Sequence, residues 1–352
     1  MLYEVPVVPD NDYIEFLNDH SQSLYACHFS LNLSDVHDSR HRLASVPDAS
    51  VVTGLLKQLN ISRKYLLINS RIQEPQHYLD KGLLRPFLVT LEKLLQEGIL
   101  DGLVFSDFYF LRGLSDASRD IMSQLEAIPG VNCMIDSLDK LIAVHDLIET
   151  THFKPPGKIN LDRSLNRKLE ILSVVSEQCR TRFADVKLVL LANEGCLYQC
   201  PFKLSHDCLI SLSRMGMSLD MHRLNDRLGC MSYLQQHPAK IFKSPFIRPE
   251  DVDRYSEWVD VLKLCGRTLG PAFLEKTIEA YLKRSFGGNL LELLDALEWT
   301  AQFLNIANQD LPEDFHQQLT ACSKDCSSCS YCQLLLDSCS ERKELQIRDI
   351  RS

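Results

Sequence analysis

Residues 186–208 read VKLVLLANEGCLYQCPFKLSHDC, and this stretch decides the fold. Its first third is an apolar run interrupted only by Lys187, of a length that suits a strand buried on both faces. Such strands belong to parallel sheets covered by helices. The run ends at Asn193-Glu194, and the loop behind it carries Cys196, Cys200, His206 and Cys208. Reactive side chains directly behind a buried strand are the arrangement found at the carboxyl-terminal face of a barrel.

The same unit recurs along the chain. Strands are predicted at 3–8, 24–30, 65–69, 102–106, 131–135, 158–161, 186–192 and 259–264. Between them lie amphipathic patterns with apolar residues at helical spacing, including 84–97, 115–128 and 167–180. Alternating strands and helices imply a parallel sheet, and eight strands imply a (β/α)8 TIM-like barrel of class α/β. No G-x-G-x-x-G follows the first strand, so the dinucleotide-binding alternative lacks its signature. We place the barrel at 1–268, a helical extension at 269–310 (helices predicted over 269–286 and 290–303) and a Cys-rich tail at 311–352. The predicted strands end in polar residues: Asn69-Ser70-Arg71, Ser106-Asp107, Asp136-Ser137, Asp162-Arg163 and Asn193-Glu194. In a barrel these ends gather on one face.

The 352 residues carry a net charge of −9, which argues against a general nucleic-acid or membrane-surface binder. No apolar run approaches the roughly 20 residues that span a bilayer. The amino terminus lacks the basic and apolar regions of a secretory signal, so the expected location is cytoplasmic. There are 13 cysteines, an odd number that forbids complete disulfide pairing. In a reducing compartment, clustered thiols point to metal or redox chemistry.

Two clusters stand out. The first is Cys196-x3-Cys200-x7-Cys208, with Cys230 further on. Its thiols suit an iron–sulfur cluster, while Cys196, Cys200, His206 and Cys230 would suit zinc. The second is Cys322-x3-Cys326-x2-Cys329-x2-Cys332, with Cys339 beyond, a metal-binding pattern for a second cluster or zinc. Cys322–Cys329 also matches the C-x3-C-x2-C spacing of radical S-adenosylmethionine enzymes. That motif belongs after the first barrel strand, where this chain has no cysteine, so the match is discarded.

The ordered set NEGCLYQCPFKLSH (193–206), KSPFIRPEDVDRYSEW (243–258) and VDVLKLCGR (259–267) resembles the TIM-barrel family of collagenase-like peptidases, peptidase family U-thirty-two. Asp260, Lys263, Gly266 and Arg267 match the family's D-x-L-K-I-x-G-R strand. The resemblance implies a [4Fe–4S] cluster near the barrel mouth, with Cys196, Cys200 and Cys230 as the best matches and Cys208 or Cys27 as the fourth ligand. It further implies oxygen-independent hydroxylation of a small molecule or an RNA base, in some members with a related partner subunit.

On this reading Glu194, Asp162 and Arg163 are the candidate catalytic groups. Glu194 would act as an acid–base group beside the thiols, or else pair with Arg163 or Lys203. Asp162-Arg163 would bind an anionic substrate, or else cap the next helix. The alternative to an enzyme is an electron-transfer or scaffold subunit with metal sites. Peptidase activity is the third reading, with no H-E-x-x-H and no G-x-S-x-G to support it.

Overall fold

The computed structural model describes residues 1–31, 33, 36, 38, 48–217 and 219–343. Eight parallel strands form the predicted barrel: β1 (Leu2–Pro6), β2 (Leu24–Phe29), β3 (Lys64–Ile68), β4 (Gly102–Phe105), β5 (Glu126–Pro129), β6 (Lys158–Asn160), β7 (Lys187–Leu191) and β8 (Val261–Lys263). Their order is β5-β4-β3-β2-β1-β8-β7-β6. The seam between β5 and β6 is closed by single bridges, Glu126 to Lys154 and Ile135 to Leu161, rather than by a full ladder.

Seven helices follow the strands up to β7: α1 (Asn11–Asp19), α2 (Ala49–Gln58), α3 (Arg85–Gln96), α4 (Phe108–Ala117), α5 (Arg119–Met122), α6 (Leu138–Glu149) and α7 (Leu169–Arg182). Between β7 and β8 lies an insertion with α8 (Lys203–Arg214), α9 (Met221–Leu228) and α10 (Cys230–Gln236). Beyond the barrel come α11 (Pro271–Lys283), α12 (Phe315–Thr320) and α13 (Tyr331–Cys339). A short antiparallel pair, β9 (Leu304–Ile306) with β10 (Ser340–Arg342), ties the tail to the extension. None of the helices among the described residues is long and apolar enough to cross a membrane.

Three predicted segments differ. The helix expected at 115–128 and the strand expected at 131–135 both shift. Asp107 caps α4 from Tyr109 N (3.0 Å) and Phe110 N (3.1 Å), so the helix begins and ends early. The fifth strand is then Glu126–Pro129, and Val131–Cys133 is a 3-10 turn closed by Met134 in the left-handed region (φ 55). The helix expected at 290–303 is instead two 3-10 turns, Leu290–Leu293 and Glu298–Gln302. Ala296, at φ 70, breaks it in the middle. The backbone there bonds the end of β7 instead, with Asp295 N donating to Asn193 O (2.9 Å) and Gly195 N to Asp295 O (2.7 Å).

Along β2 the side chains alternate: Cys27 and Phe29 pack in the helix–sheet core, while Ala26 packs with Tyr65, Val104 and Ile128 in a separate small cluster. The barrel interior also holds charge. Glu4 is fully buried and pairs with Lys158 Nζ and Lys263 Nζ, and His28 Nδ1 lies 3.1 Å from Glu4 Oε1. Burial alone would raise the Glu4 carboxyl, but Lys158, Lys263 and His28 outweigh it and hold it well below its ordinary value. Burial, then Lys263, pushes His28 down to about 3, so it is neutral.

A second hydrophobic core lies beside the barrel. It joins Leu197 of the loop after β7 and Leu234 and Phe242 of the insertion with Leu290 and Leu297 of the extension and Phe315, Leu335 and Leu336 of the tail.

Glu4→Gln leaves two lysines buried without their carboxylate and is expected to lower unfolding free energy by about 3–5 kcal/mol. Because the folded Glu4 pKa is depressed, its contribution is complete above the ordinary carboxylate value of about 4.3 and is lost as pH falls through the folded value. Urea titrations of both proteins at pH 7 and in acid check this. The gap should persist at pH 7 and narrow in acid, and equal midpoints at pH 7 would refute it.

Candidate functional site

The carboxyl ends of the strands surround a cavity of about 1040 Å³. Val7 follows β1, Ser30 follows β2, Asn132 follows β5, Glu194 follows β7 and Arg267 follows β8, and all line it. Helix α8 presents Lys203, His206, Asp207, Ile210 and Arg214 to it, residues that share one helical face. Asp295, brought in by the bridge to β7, and Cys196 complete this wall.

Most charges in the mouth are paired. Arg163 Nη1 donates to Glu194 Oε2, and its Nη2 to Asn132 Oδ1 (3.3 Å). Lys203 Nζ donates to the same Asn132 Oδ1 (2.8 Å) and to Asp207 (2.5 Å). Burial, then Arg163, pulls the Lys203 pKa down. Cys196 Sγ donates to Glu194 Oε1 at 3.3 Å. Across the cavity, Arg267 Nη2 donates to both oxygens of Asp38 (2.6 and 2.7 Å), and Ser30 Oγ donates to Asp38 Oδ2 (2.5 Å). Gly266 makes the turn into Arg267: its φ is 120, and a Cβ there would meet Phe273 at 2.2 Å.

A second cavity, about 390 Å³, lies between the insertion and the tail. Cys322, Cys326, Cys329 and Cys332 all line it, with His237, Lys240 and Lys243 opposite. Lys243 Nζ lies 3.2 Å from Cys326 Sγ. That hydrogen bond holds the Cys326 thiol below its usual value, while burial, then the neighbouring thiols, pushes Cys332 up.

No family model matches the chain. A solved structure described as a U32 peptidase aligns with 76% of this chain and 93% of its own, at 15% identity and a TM-score of 0.49. An uncharacterized protease from Methanocaldococcus jannaschii is 30% identical over 290 residues, 80% of each chain. The chain belongs to the U32 peptidase family.

In this U32 member the predicted site residues separate into groups. Glu194 and Arg163 form the central ion pair of the mouth. Asp162 caps the next turn through Ser164 N (2.8 Å), and Arg167 is buried, donating to Ser244 O (2.8 Å) and lying over Phe246. Asp107 caps α4, and Asp136 pairs with Lys140 (2.9 Å) on the surface. Of the mouth cysteines, Cys196 lines the cavity, while Cys200 and Cys230 pack against the second core. Burial raises both of these thiols, and Cys200 raises Cys230 further. Cys208 lies about 140° round α8 from Lys203, off the cavity-lining face. Cys27 lies in the helix–sheet core, and burial pushes its thiol up to about 12. Among the described residues, the set of three or more ligand atoms within 4.8 Å is His145, Asp146 and Glu149 on α6, away from both cavities.

Sequence reasoning missed Asp38, Asp207, Arg214 and Asp295. The 3–4 spacing of Lys203, His206, Asp207, Ile210 and Arg214 was the available signal for α8. Asp295 had none, because its place depends on the broken helix.

Cys326 is expected to alkylate with iodoacetamide at lower pH, in metal-free, reduced protein, than an added unstructured cysteine peptide, since only the thiolate reacts. Lys243→Met removes the donor and should move the Cys326 midpoint up. Peptide mass spectrometry across pH reads both thiols, and an unmoved midpoint would contradict the pairing.

Proposed function

We propose that this U32 member is an iron–sulfur redox enzyme, with its cluster in the tail cavity and its substrate in the barrel mouth. The observation that carries this reading is the convergence of four free thiols, Cys322, Cys326, Cys329 and Cys332, on one cavity. The donor set fits such a group, because thiolates hold iron–sulfur clusters and Lys240 and Lys243 offset their negative charge. A single tetrahedral zinc with Zn–S of about 2.3 Å would draw its sulfurs to about 3.8 Å apart. No three of these thiols lie within 4.8 Å of one another, so neither arrangement is preformed.

A cluster bound there supplies one-electron transfer. The chain's own residues account for the rest. Lys243 favours the thiolate of Cys326, and the second core fixes Cys332 on α13. In the mouth, Glu194 is the group placed to accept a proton, at Oε1, the oxygen bonded by Cys196 rather than Arg163. Arg163 keeps that carboxylate oriented. The substrate class suggested by the family resemblance is a small molecule or an RNA base undergoing hydroxylation without oxygen.

The mouth cavity beside Cys196 favours an enzyme over a scaffold, since a scaffold needs no pocket of that size. The protease label of the archaeal relative gains little here. A cysteine nucleophile needs a lowered pKa, and burial moves Cys200 the other way. A second cluster at the mouth is part of the proposal, held by Cys196, Cys200 and Cys230, with Cys208 joining only if α8 turns. The thiols as placed do not form that set, so no chemical step is routed through it.

Iron, sulfide and zinc content of protein purified without oxygen tests the reading. About four irons and four sulfides per chain are expected. They should be lost in Cys326→Ser/Cys329→Ser and kept in Cys196→Ala/Cys200→Ala. About eight of each, with half lost in either variant, would establish both clusters. Zinc alone in a colourless protein would overturn the redox reading.

A further inference from the structure

We infer that Arg214 and Arg267 form an oxyanion subsite in the barrel mouth, which takes the phosphate or carboxylate of a small-molecule substrate. The inference rests on the mouth being the substrate cavity and is independent of iron.

Three observations carry it. First, two other mouth cations of the described residues are spent: Arg163 on Glu194, and Lys203 on Asp207. Arg214 has no carboxylate of the described residues at ion-pair distance, and the acid whose field it feels is Asp38. Secondly, α8 aims it. Arg214 lies three turns after Lys203, about 20° round the helix, on the face that lines the cavity. Thirdly, Nε of Arg214 and Nε of Arg267 are both buried and have no hydrogen-bond acceptor. Buried donors of this kind are rare in folded proteins and call for a partner.

Asp38 pairs with Arg267, and its field also reaches Arg214. It grips Arg267 through Nη2, steadied by Ser30, which leaves the rest of the Arg267 fork uncommitted. Two oxygens of a carboxylate or a phosphate match a guanidinium fork, where a lysine would offer only a point charge. The opposite wall carries Glu194 and Asp295. A substrate is then oriented with its oxyanion at Arg214 and Arg267 and its reacting part at Glu194 and Cys196. Asp162 and Arg163 are used within the fold, and Asn166 and Arg167, although each keeps one buried polar atom without a partner, do not line the mouth cavity.

Calorimetric titration with phenyl phosphate, benzoate and neutral benzamide tests the subsite on the full chain. The wild type should bind an anion at least about tenfold more tightly than benzamide. Arg214→Gln, which loses no protein partner, should weaken anion binding at least about tenfold, and Arg214→Lys should fall between, with the thermal midpoint unchanged. Preference for phenyl phosphate assigns a phosphate, and preference for benzoate a carboxylate. Equal binding of benzamide, no anion binding by the wild type, or undiminished binding in Arg214→Gln would overturn the inference. Should Arg214→Gln fold poorly, protection of wild-type Arg214 from phenylglyoxal by phenyl phosphate replaces it, and absence of protection overturns the inference equally. The same titration in Cys326→Ser/Cys329→Ser separates the two proposals: loss of iron leaves the subsite intact, and loss of the subsite in Arg214→Gln leaves iron intact.

Discussion

A carboxylate sealed inside a barrel persists only if cations accompany it, and Glu4 has two. Lys158 comes from β6 and Lys263 from β8, while neutral His28 comes from β2. One side chain therefore ties four strands together where other barrels stack layers of branched apolar residues. The charge count continues outward. Lys158 lies over the Tyr65 ring at 4.1 Å, and Tyr65 donates to Glu126 (3.3 Å), which also accepts from Arg63 (3.0 Å). Burial drives Lys158 down to about 8, and Glu4 is what keeps it from falling further.

This interior network also sets the mouth. Lys263 is the last residue of β8, so its bond to Glu4 fixes where the chain leaves the barrel and turns at Gly266 into Arg267. His28 lies two residues before Ser30, and Ser30 holds Asp38 against Arg267. On the other side, Asn193 locks β7 to the end of β8 through Cys265 (N to Oδ1, 2.8 Å) and to the extension through Leu293 O (3.0 Å). Each wall of the cavity is thus built from a side chain whose backbone is held from below. A preorganised site of this kind needs little reordering when it binds.

The barrel was legible because seven of its strands are short apolar runs between helical patterns. The fifth was hidden by Glu126, which points to Arg63, Tyr65 and Gly157 and interrupts the apolar pattern. The neighbouring Val131–Ile135 looked better but is bent by Met134. The leucines of 290–303 gave a helical period that Ala296 overrules. Glu4, Lys158 and Lys263 were unreadable for a different reason. In a single strand a charged alternate residue looks solvated, and only closure of the sheet turns that face inward. The tail thiols were legible as a set, because four ligands within eleven residues need no long-range fold to bring them together. The mouth thiols were not, because Cys196 lines the cavity, Cys200 and Cys230 pack on the second core, and Cys208 lies on another face of α8.

The tail thiols also differ from the mouth in what holds them. Helices α12 and α13 seat Phe315, Leu319, Leu335 and Leu336 on the second core, and the segment between them has no helix or strand. Lys324, at φ 67, closes that segment by donating to Leu319 O (2.7 Å) and Cys322 O (2.8 Å). Cys326 and Cys329 are exposed at its centre and bury nothing. On the proposed reading, a chain segment fixed at both ends would gain its cohesion from what its ligands bind, so metal affinity and local folding would become one free energy. The barrel would stand outside that coupling, because its core is separate from the second one. Loss of a group from the tail would therefore loosen α12, α13 and the β9–β10 pair while leaving the mouth, and the residues around Arg214, in place.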